Sequence, residues 1–150
     1  MTMSELDNSV RLAIYETFVS SGRCPTVADV ASHLGIPEDE SKAAFLRLAQ
    51  AHVLVLQPES REVLMANPLS AVPTAFEVVI KDGRRFWGNC IWDALGAIAM
   101  LGQDGEVVTT CGCCGESMTA QIRDRKLTAA KGTVHFAVPA AHWWDDIVFN

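Results

Sequence analysis

The chain has 150 residues and a formal net charge of −6, from 12 lysines and arginines against 18 aspartates and glutamates. This length suits one modest domain or two very small ones, and an apolar fraction of 49% supplies a core. The acidic balance argues against a general nucleic-acid binder. The sequence has neither a run of about 20 apolar residues nor a signal peptide pattern, so we expect a cytoplasmic protein with no membrane partner and with reduced thiols.

Residues 5–66 predict three short helices followed by a β-hairpin. Apolar residues recur at helical spacing over residues 5–20, and Thr26 with Asp29 forms a capping-box pattern before a second helix that ends at Gly35. Pro37 opens a third helix. The apolar segments 53–56 and 63–65 then flank a turn and predict a hairpin. This order of elements is typical of a winged helix.

The acidic character of this module argues against DNA recognition. In a helix-turn-helix reader the first part of the recognition helix enters the major groove, and here that part is Glu38, Asp39 and Glu40. These acids would repel the phosphates that supply most DNA affinity. We therefore predict that residues 1–66 form a winged-helix-like scaffold or homodimerisation module.

Residues 67–150 predict a small α/β domain with a mixed or antiparallel sheet. The proline-containing segment 67–76 predicts an extended linker. An apolar helix is predicted over residues 90–101, with Asn89 as its N-cap. Strands are predicted at 76–80, 107–110, 118–122 and 134–138. The predicted fold class is therefore α+β, with a helical module followed by a small α/β domain.

The start of the predicted helix at residue 90 carries a thiol and a carboxyl group one turn apart. Cys90 lies beside free backbone N–H groups that stabilise a thiolate, and Asp93 falls on the same helix face. The carboxylate can accept the thiol proton and then donate it as an acid. The alternative is a small buried cysteine beside a solvated acid, and spacing alone favours this alternative.

Three further cysteines cluster in Cys111-Gly-Cys113-Cys114-Gly115, which we call the cysteine turn. Thiols so close together suit a soft metal ion such as zinc, copper(I) or mercury. A closed zinc site would need a fourth ligand, such as His135, His142 or Cys90. His135 alternates with apolar residues, which favours a core histidine. The tryptophans are interpreted as core or pocket wall, at positions 87, 92, 143 and 144.

Several segments resemble the alkylmercury (organomercurial) lyase family. They are Asn67-Pro-Leu-Ser-Ala-Val-Pro-Thr, Trp87-Gly-Asn-Cys90-Ile-Trp-Asp93-Ala-Leu, Val134-His-Phe-Ala-Val-Pro and Trp143-Trp-Asp-Asp-Ile-Val-Phe. The resemblance implies an enzyme that needs no cofactor and cleaves the carbon–mercury bond of an organomercurial. It implies that Cys90 is the mercury-binding thiolate of a catalytic helix, that Asp93 is the proton shuttle, and that Cys111 is a structural thiol.

The sequence departs from the family at its end. The family's second mercury-binding cysteine lies shortly beyond the segment that matches residues 143–150, where this sequence stops. We therefore expect either a truncated chain or a replacement thiol, from Cys113, Cys114 or an external molecule. Low-molecular-weight thiols would then extract the Hg(II) product. The alternative is a non-catalytic protein that binds or senses mercury, zinc or copper through the cysteine turn.

Overall fold

The computed structural model describes residues 4–148, and it begins with three helices. Side-chain caps fix where the first two helices begin. The Ser4 hydroxyl accepts a hydrogen bond from the Asp7 backbone N–H, and the Thr26 hydroxyl accepts one from the Asp29 backbone N–H. The predicted helices of the first module are confirmed, with the bounds α1 (Glu5–Ser21), α2 (Val27–Leu34) and α3 (Glu38–Gln50).

A three-stranded antiparallel sheet follows, in the order β1 (Val55–Leu56), β2 (Val63–Ala66) and β3 (Leu69–Ser70). The predicted hairpin is confirmed by the pairing of β1 with β2. The linker prediction is wrong for residues 69–70, because the chain turns at Asn67 and Pro68 and lays β3 back on β2. The division of the chain at residue 66 stays a prediction, and β3 pairs across it.

The second sheet has five antiparallel strands in the order β5-β4-β6-β7-β8. Helix α4 (Ile91–Leu101) connects β5 to β6 and packs on β3, β4 and β6. The strands are β4 (Glu77–Ile80), β5 (Arg85–Trp87), β6 (Gly105–Thr110), β7 (Ser117–Arg123) and β8 (Lys126–Ala129). The chain is thus a mixture of helices and antiparallel sheet, as predicted.

The strand predicted at 134–138 is wrong. That segment is irregular and leads into a 3₁₀ helix at Ala140–Asp145. Val134 and His135 are both exposed, so the alternation of apolar and polar residues does not here place one face of the segment in a core. Residues 147–148 lie in a turn, and Phe149 and Asn150 lie outside the described residues.

One buried apolar cluster joins the helices to the second sheet. It includes Phe18 and Phe45 from the first three helices, Phe86 from β5 and Ile98 from α4. Burial of side chains of this size contributes about 1.5–3 kcal/mol each. Within residues 4–148, no helix combines the length and the apolar character that a membrane crossing requires.

The register of the second sheet brings two cysteine-bearing loops to the same end of the molecule. Trp87, Glu77 and Val108 form a cross-strand row over β5, β4 and β6. Because β5 and β6 are both antiparallel to β4, they run in the same direction. Cys90 and Cys111 each lie three residues beyond this row.

Candidate active site

The segment before α4 is held in place by close backbone contacts around Gly88. Its N–H donates to the Phe76 carbonyl (2.9 Å), and its own carbonyl accepts the Thr74 hydroxyl (2.6 Å). A Cβ at this position would lie 2.6 Å from the backbone nitrogen of Ala94, so a side chain has no room. These contacts fix the first turn of α4 against the sheet.

Cys90 is the N-cap residue of α4, with extended backbone angles. The prediction of Asn89 as the cap is wrong, because the helix begins one residue later and the Asn89 side chain has other partners. No side-chain hydrogen bond closes the helix start. The backbone N–H groups of Asp93 and Trp92 instead lie near the Cys90 sulfur, where they favour its anionic form.

The Cys90 thiol and the Asp93 carboxyl group meet at the helix start, and both are half-buried. Burial raises the pKa of the Cys90 thiol, and the neighbouring Asp93 charge raises it further. Burial also raises the pKa of Asp93, against the hydrogen bonds that it accepts from Asn89 and Cys90. Both groups therefore bind a proton more tightly than they would in water.

Two asparagines and a tyrosine surround this pair. The Asn89 side-chain amide donates to both the Asp93 carboxylate (3.0 Å) and the Asn67 side-chain oxygen (2.9 Å). The Asn89 oxygen is buried without a hydrogen-bond partner. The Tyr15 hydroxyl of α1 donates a hydrogen bond to the Asn67 carbonyl (2.8 Å). Burial raises the pKa of Tyr15, and the charges of Cys24 and Asp93 raise it further. The first helix therefore supports the site directly.

Cys90 and Asp93 open into a cavity of about 490 Å³. Its walls are mainly apolar and aromatic, from α4 and from the segment 135–148 that was expected to contain a strand. Trp143 is held there by its indole N–H bond to the Val138 carbonyl (2.9 Å). The lining residues include Asn89, Trp92, His135, Phe136, Trp143 and Trp144.

Two sequence interpretations of these lining residues have different outcomes. The prediction of tryptophans in a pocket wall is confirmed for Trp92, Trp143 and Trp144. The prediction of His135 as a core histidine is wrong, because it is exposed and lines the cavity. Trp144 also stacks on His52 with ring centroids 4.0 Å apart, which ties the cavity wall to the chain after α3.

The cysteine turn is separate from this cavity. Its residues close the β6–β7 hairpin and line no part of the cavity described above, whereas Cys90 does. Cys113 and Cys114 are exposed, and Cys111 is half-buried. Hydrogen bonds from the Cys114 and Cys113 backbone N–H groups and from the Cys114 thiol lower the pKa of Cys111.

The zinc ligands suggested by the sequence do not converge. Among residues 4–148, no three histidine, cysteine, aspartate or glutamate side chains are grouped so that they could hold a metal ion. His142 instead contacts Asp145, with 3.0 Å between its Nδ1 and a carboxylate oxygen. The structure thus brings Cys90 and Asp93 together, and it leaves the cysteine turn as a site of at most two thiols.

Sequence reasoning missed Tyr15, Asn67 and His52 as residues of the site, and it misassigned Asn89. Asn67 does stand at the start of the first segment that resembles the lyase family, so its position in a motif was an available signal. Tyr15 had none, because it reaches Asn67 across 52 residues of sequence.

Comparisons with known proteins point to one family. The sequence model of the family MerB, alkylmercury lyase, matches residues 69–149, which include Cys90, Asp93 and the cysteine turn. Among solved structures, the crystal structure of the mercury-bound form of MerB2 covers 85% of this chain and 68% of its own, with 20% identity and a TM-score of 0.60. At this identity the likeness shows the fold. No curated protein matches the chain.

Proposed function

The chain belongs to the alkylmercury lyase family, and on that premise we propose that it cleaves the carbon–mercury bond of organomercurials at Cys90 and Asp93. The observation that carries this proposal is the meeting of a thiol and a carboxyl group at the start of α4, inside a largely apolar cavity. Sulfur is the ligand that a soft metal such as mercury prefers, and a half-buried carboxyl group with a raised pKa is suited to move a proton.

In the first step, the Cys90 sulfur binds the mercury of an organomercurial cation. The thiol proton passes to the Asp93 carboxylate, with which it is already hydrogen-bonded. The products of this step are a neutral sulfur–mercury–carbon adduct and a protonated Asp93. Both are neutral, so a partly buried site with few charges favours them. The raised pKa of Asp93 helps the carboxyl group to retain this proton.

In the second step, Asp93 returns the proton to carbon. The electron pair of the carbon–mercury bond forms the new carbon–hydrogen bond, the hydrocarbon leaves, and Asp93 becomes a carboxylate again. Hg(II) remains on Cys90 with one coordination position free. Asn89 holds the Asp93 carboxylate from one side (3.0 Å), which orients the acid toward the cavity.

A second thiolate must then bind Hg(II) before it can leave. Of the cysteines at positions 24, 90, 111, 113 and 114, Cys90 is the one that lines the cavity. We therefore assign the second sulfur to an external low-molecular-weight thiol, and no resident cofactor is required. The apolar wall formed by Trp92, Phe136 and Trp143 suits an apolar alkyl or aryl group on mercury.

The first module takes the role of a scaffold in this proposal. Tyr15 of α1 fixes the backbone at Asn67, and Asn67 in turn accepts a hydrogen bond from Asn89. We infer that the winged-helix-like residues 1–66 orient the catalytic helix instead of reading DNA.

The test is release of benzene from phenylmercury in the presence of excess thiol, measured by gas chromatography. The full chain should release benzene faster than the thiol-only background, whereas release by Cys90→Ser and by Asp93→Asn should fall to that background. Cys24→Ala is the matched control, since Cys24 is a half-buried cysteine outside the cavity, and it should retain activity. Benzene release by Cys90→Ser at the rate of the unmodified chain would remove the proposal.

The pH profile gives a second, independent check on the assigned roles. Activity requires ionised Asp93 and protonated Cys90, so it rises through the pKa of Asp93 and falls through the pKa of Cys90. Because both pKa values are raised, both limbs of this bell-shaped pH–activity profile should be displaced to higher pH.

A further inference from the structure

Three of the five cysteines lie in the cysteine turn, which the proposed reaction does not use. The turn is well ordered by its own backbone. The Cys111 N–H donates to the Glu116 carbonyl (2.8 Å), and the Gly115 N–H donates to the Cys111 carbonyl (2.8 Å). Gly115 has a φ of 73°, a left-handed conformation that suits glycine. These contacts fold residues 111–115 into a closed loop at the hairpin tip.

The loop brings two of its cysteines close together. The Gly115 N–H bond to the Cys111 carbonyl (2.8 Å) closes a tight turn over residues 112–114, and residues three apart in such a turn are neighbours in space. Residues 111 and 114 therefore form a neighbouring pair, with Cys114 exposed to incoming ligands. In agreement with this placement, hydrogen bonds from the backbone N–H groups of Cys114 and Cys113 and from the Cys114 thiol lower the pKa of Cys111. The hydrogen bonds to sulfur stabilise negative charge on it, as a bound metal ion also requires.

We propose that Cys111 and Cys114 form a dithiol site for a two-coordinate soft metal ion, with Hg(II) as the ligand that it takes. Tetrahedral zinc sites use four ligands, and no third ligand is grouped with this pair in residues 4–148. Hg(II) is satisfied by two thiolates in a nearly linear arrangement, and thiolates are its preferred ligands. The chemistry of the pair therefore matches mercury better than zinc.

The position of the pair suggests what it does, and this part rests on the proposed lyase function. Cys90 and Cys111 each lie three residues beyond the row of Trp87, Glu77 and Val108. Strands β5 and β6 are two places apart in the sheet, which separates them by roughly 10 Å. Hg(II) released from Cys90 as a bis-thiol complex thus emerges at the same end of the sheet as the dithiol.

Transfer to the dithiol is a balanced ligand exchange. Two new sulfur–mercury bonds form to Cys111 and Cys114, and the two bonds to the external thiols break. The two protons of the protein thiols leave on the displaced external thiols. No electron is transferred, and no other reactant is needed.

The experiment measures Hg(II) retention by the full chain with Cys90→Ser in place, so that the lyase site does not contribute. Hg(II) is supplied as its bis-cysteine complex, and bound metal is counted by native mass spectrometry after dialysis against thiol. Cys111→Ser and Cys114→Ser should each weaken retention by roughly a hundredfold, because one thiol then replaces an intramolecular pair. Cys113→Ser is the matched control and should retain one Hg(II).

Each outcome decides the proposal. Loss of Hg(II) on Cys113→Ser, or full retention on Cys114→Ser, would overturn the assigned pair. Stoichiometric zinc retained under the same dialysis would overturn its two-coordinate character. Thermal unfolding of each variant checks that the hairpin still folds. The lyase function can fail while this dithiol still binds Hg(II), because benzene release does not enter the measurement.

Discussion

The closest backbone approach at the candidate site predicts opposite effects for two glycine-to-alanine substitutions. In Gly88→Ala the new Cβ would lie 2.6 Å from the Ala94 nitrogen and 2.7 Å from its Cα. Ordinary contact begins at 3.4 Å, so the first turn of α4 must move by about 0.8 Å. Overpacking of this kind costs about 1–3 kcal/mol. In Gly96→Ala, farther along the same helix, the nearest outside atom is Pro68 Cβ at 3.7 Å, so alanine fits and should stabilise by about 0.5–1 kcal/mol.

Thermal unfolding followed by circular dichroism measures both effects. For a chain of this size Gly88→Ala should lower Tm by roughly 2–12 °C, and Gly96→Ala should raise it by roughly 1–4 °C. Gly88→Ala should also reduce benzene release by roughly tenfold or more, since Cys90 and Asp93 move with the helix start. The reasoning would be refuted by an unchanged or higher Tm for Gly88→Ala, or by a fall in Tm for Gly96→Ala as large as that for Gly88→Ala.

Three other outcomes follow from the charges and burial. Asn89→Ala removes a hydrogen bond that lowers the Asp93 pKa, so the acid limb of the benzene-release profile should move to higher pH; an unmoved limb would contradict this role. Arg47→Met leaves the buried Asp7 unpaired and should cost about 1–2 kcal/mol in urea unfolding at neutral pH. Because the Asp7 pKa is lowered from 3.8, its stabilisation is complete above that value, and the cost should shrink as the pH falls below it. Burial raises the pKa of Cys24 to about 12, so timed alkylation with peptide mass spectrometry should label it more slowly than Cys113 or Cys114, and equal rates would argue against its burial.

The parts of the fold that were predictable from sequence depend on local signals. The capping pair of Thr26 with Asp29 acts within one helical turn, and the spacing of apolar residues fixes which helix face is buried. The Cys90 and Asp93 pair was visible for the same reason, since both groups lie on one turn of a helix.

The parts that were missed depend on contacts between distant residues. The contact of Tyr15 with Asn67 and that of Asn89 with Asn67 join separate elements, and nothing in the local pattern encodes them. The apolar residues of 134–138 alternate like a strand, yet they find no neighbouring strand to pair with and form a cavity wall instead. Alternation predicts a strand where a partner exists, and the partner is a property of the whole fold.

The helix cap at Cys90 has a consequence for how this site constrains the chain. N-cap positions favour serine, threonine, asparagine and aspartate, because their oxygen atoms accept a backbone N–H, and here no side chain makes that bond. Serine at this position would therefore add about 0.5–2 kcal/mol of stability while removing the sulfur that binds mercury. At position 90, stability therefore favours an oxygen atom, whereas mercury binding requires sulfur. A Cys90→Ser protein that melts above its parent would display that conflict.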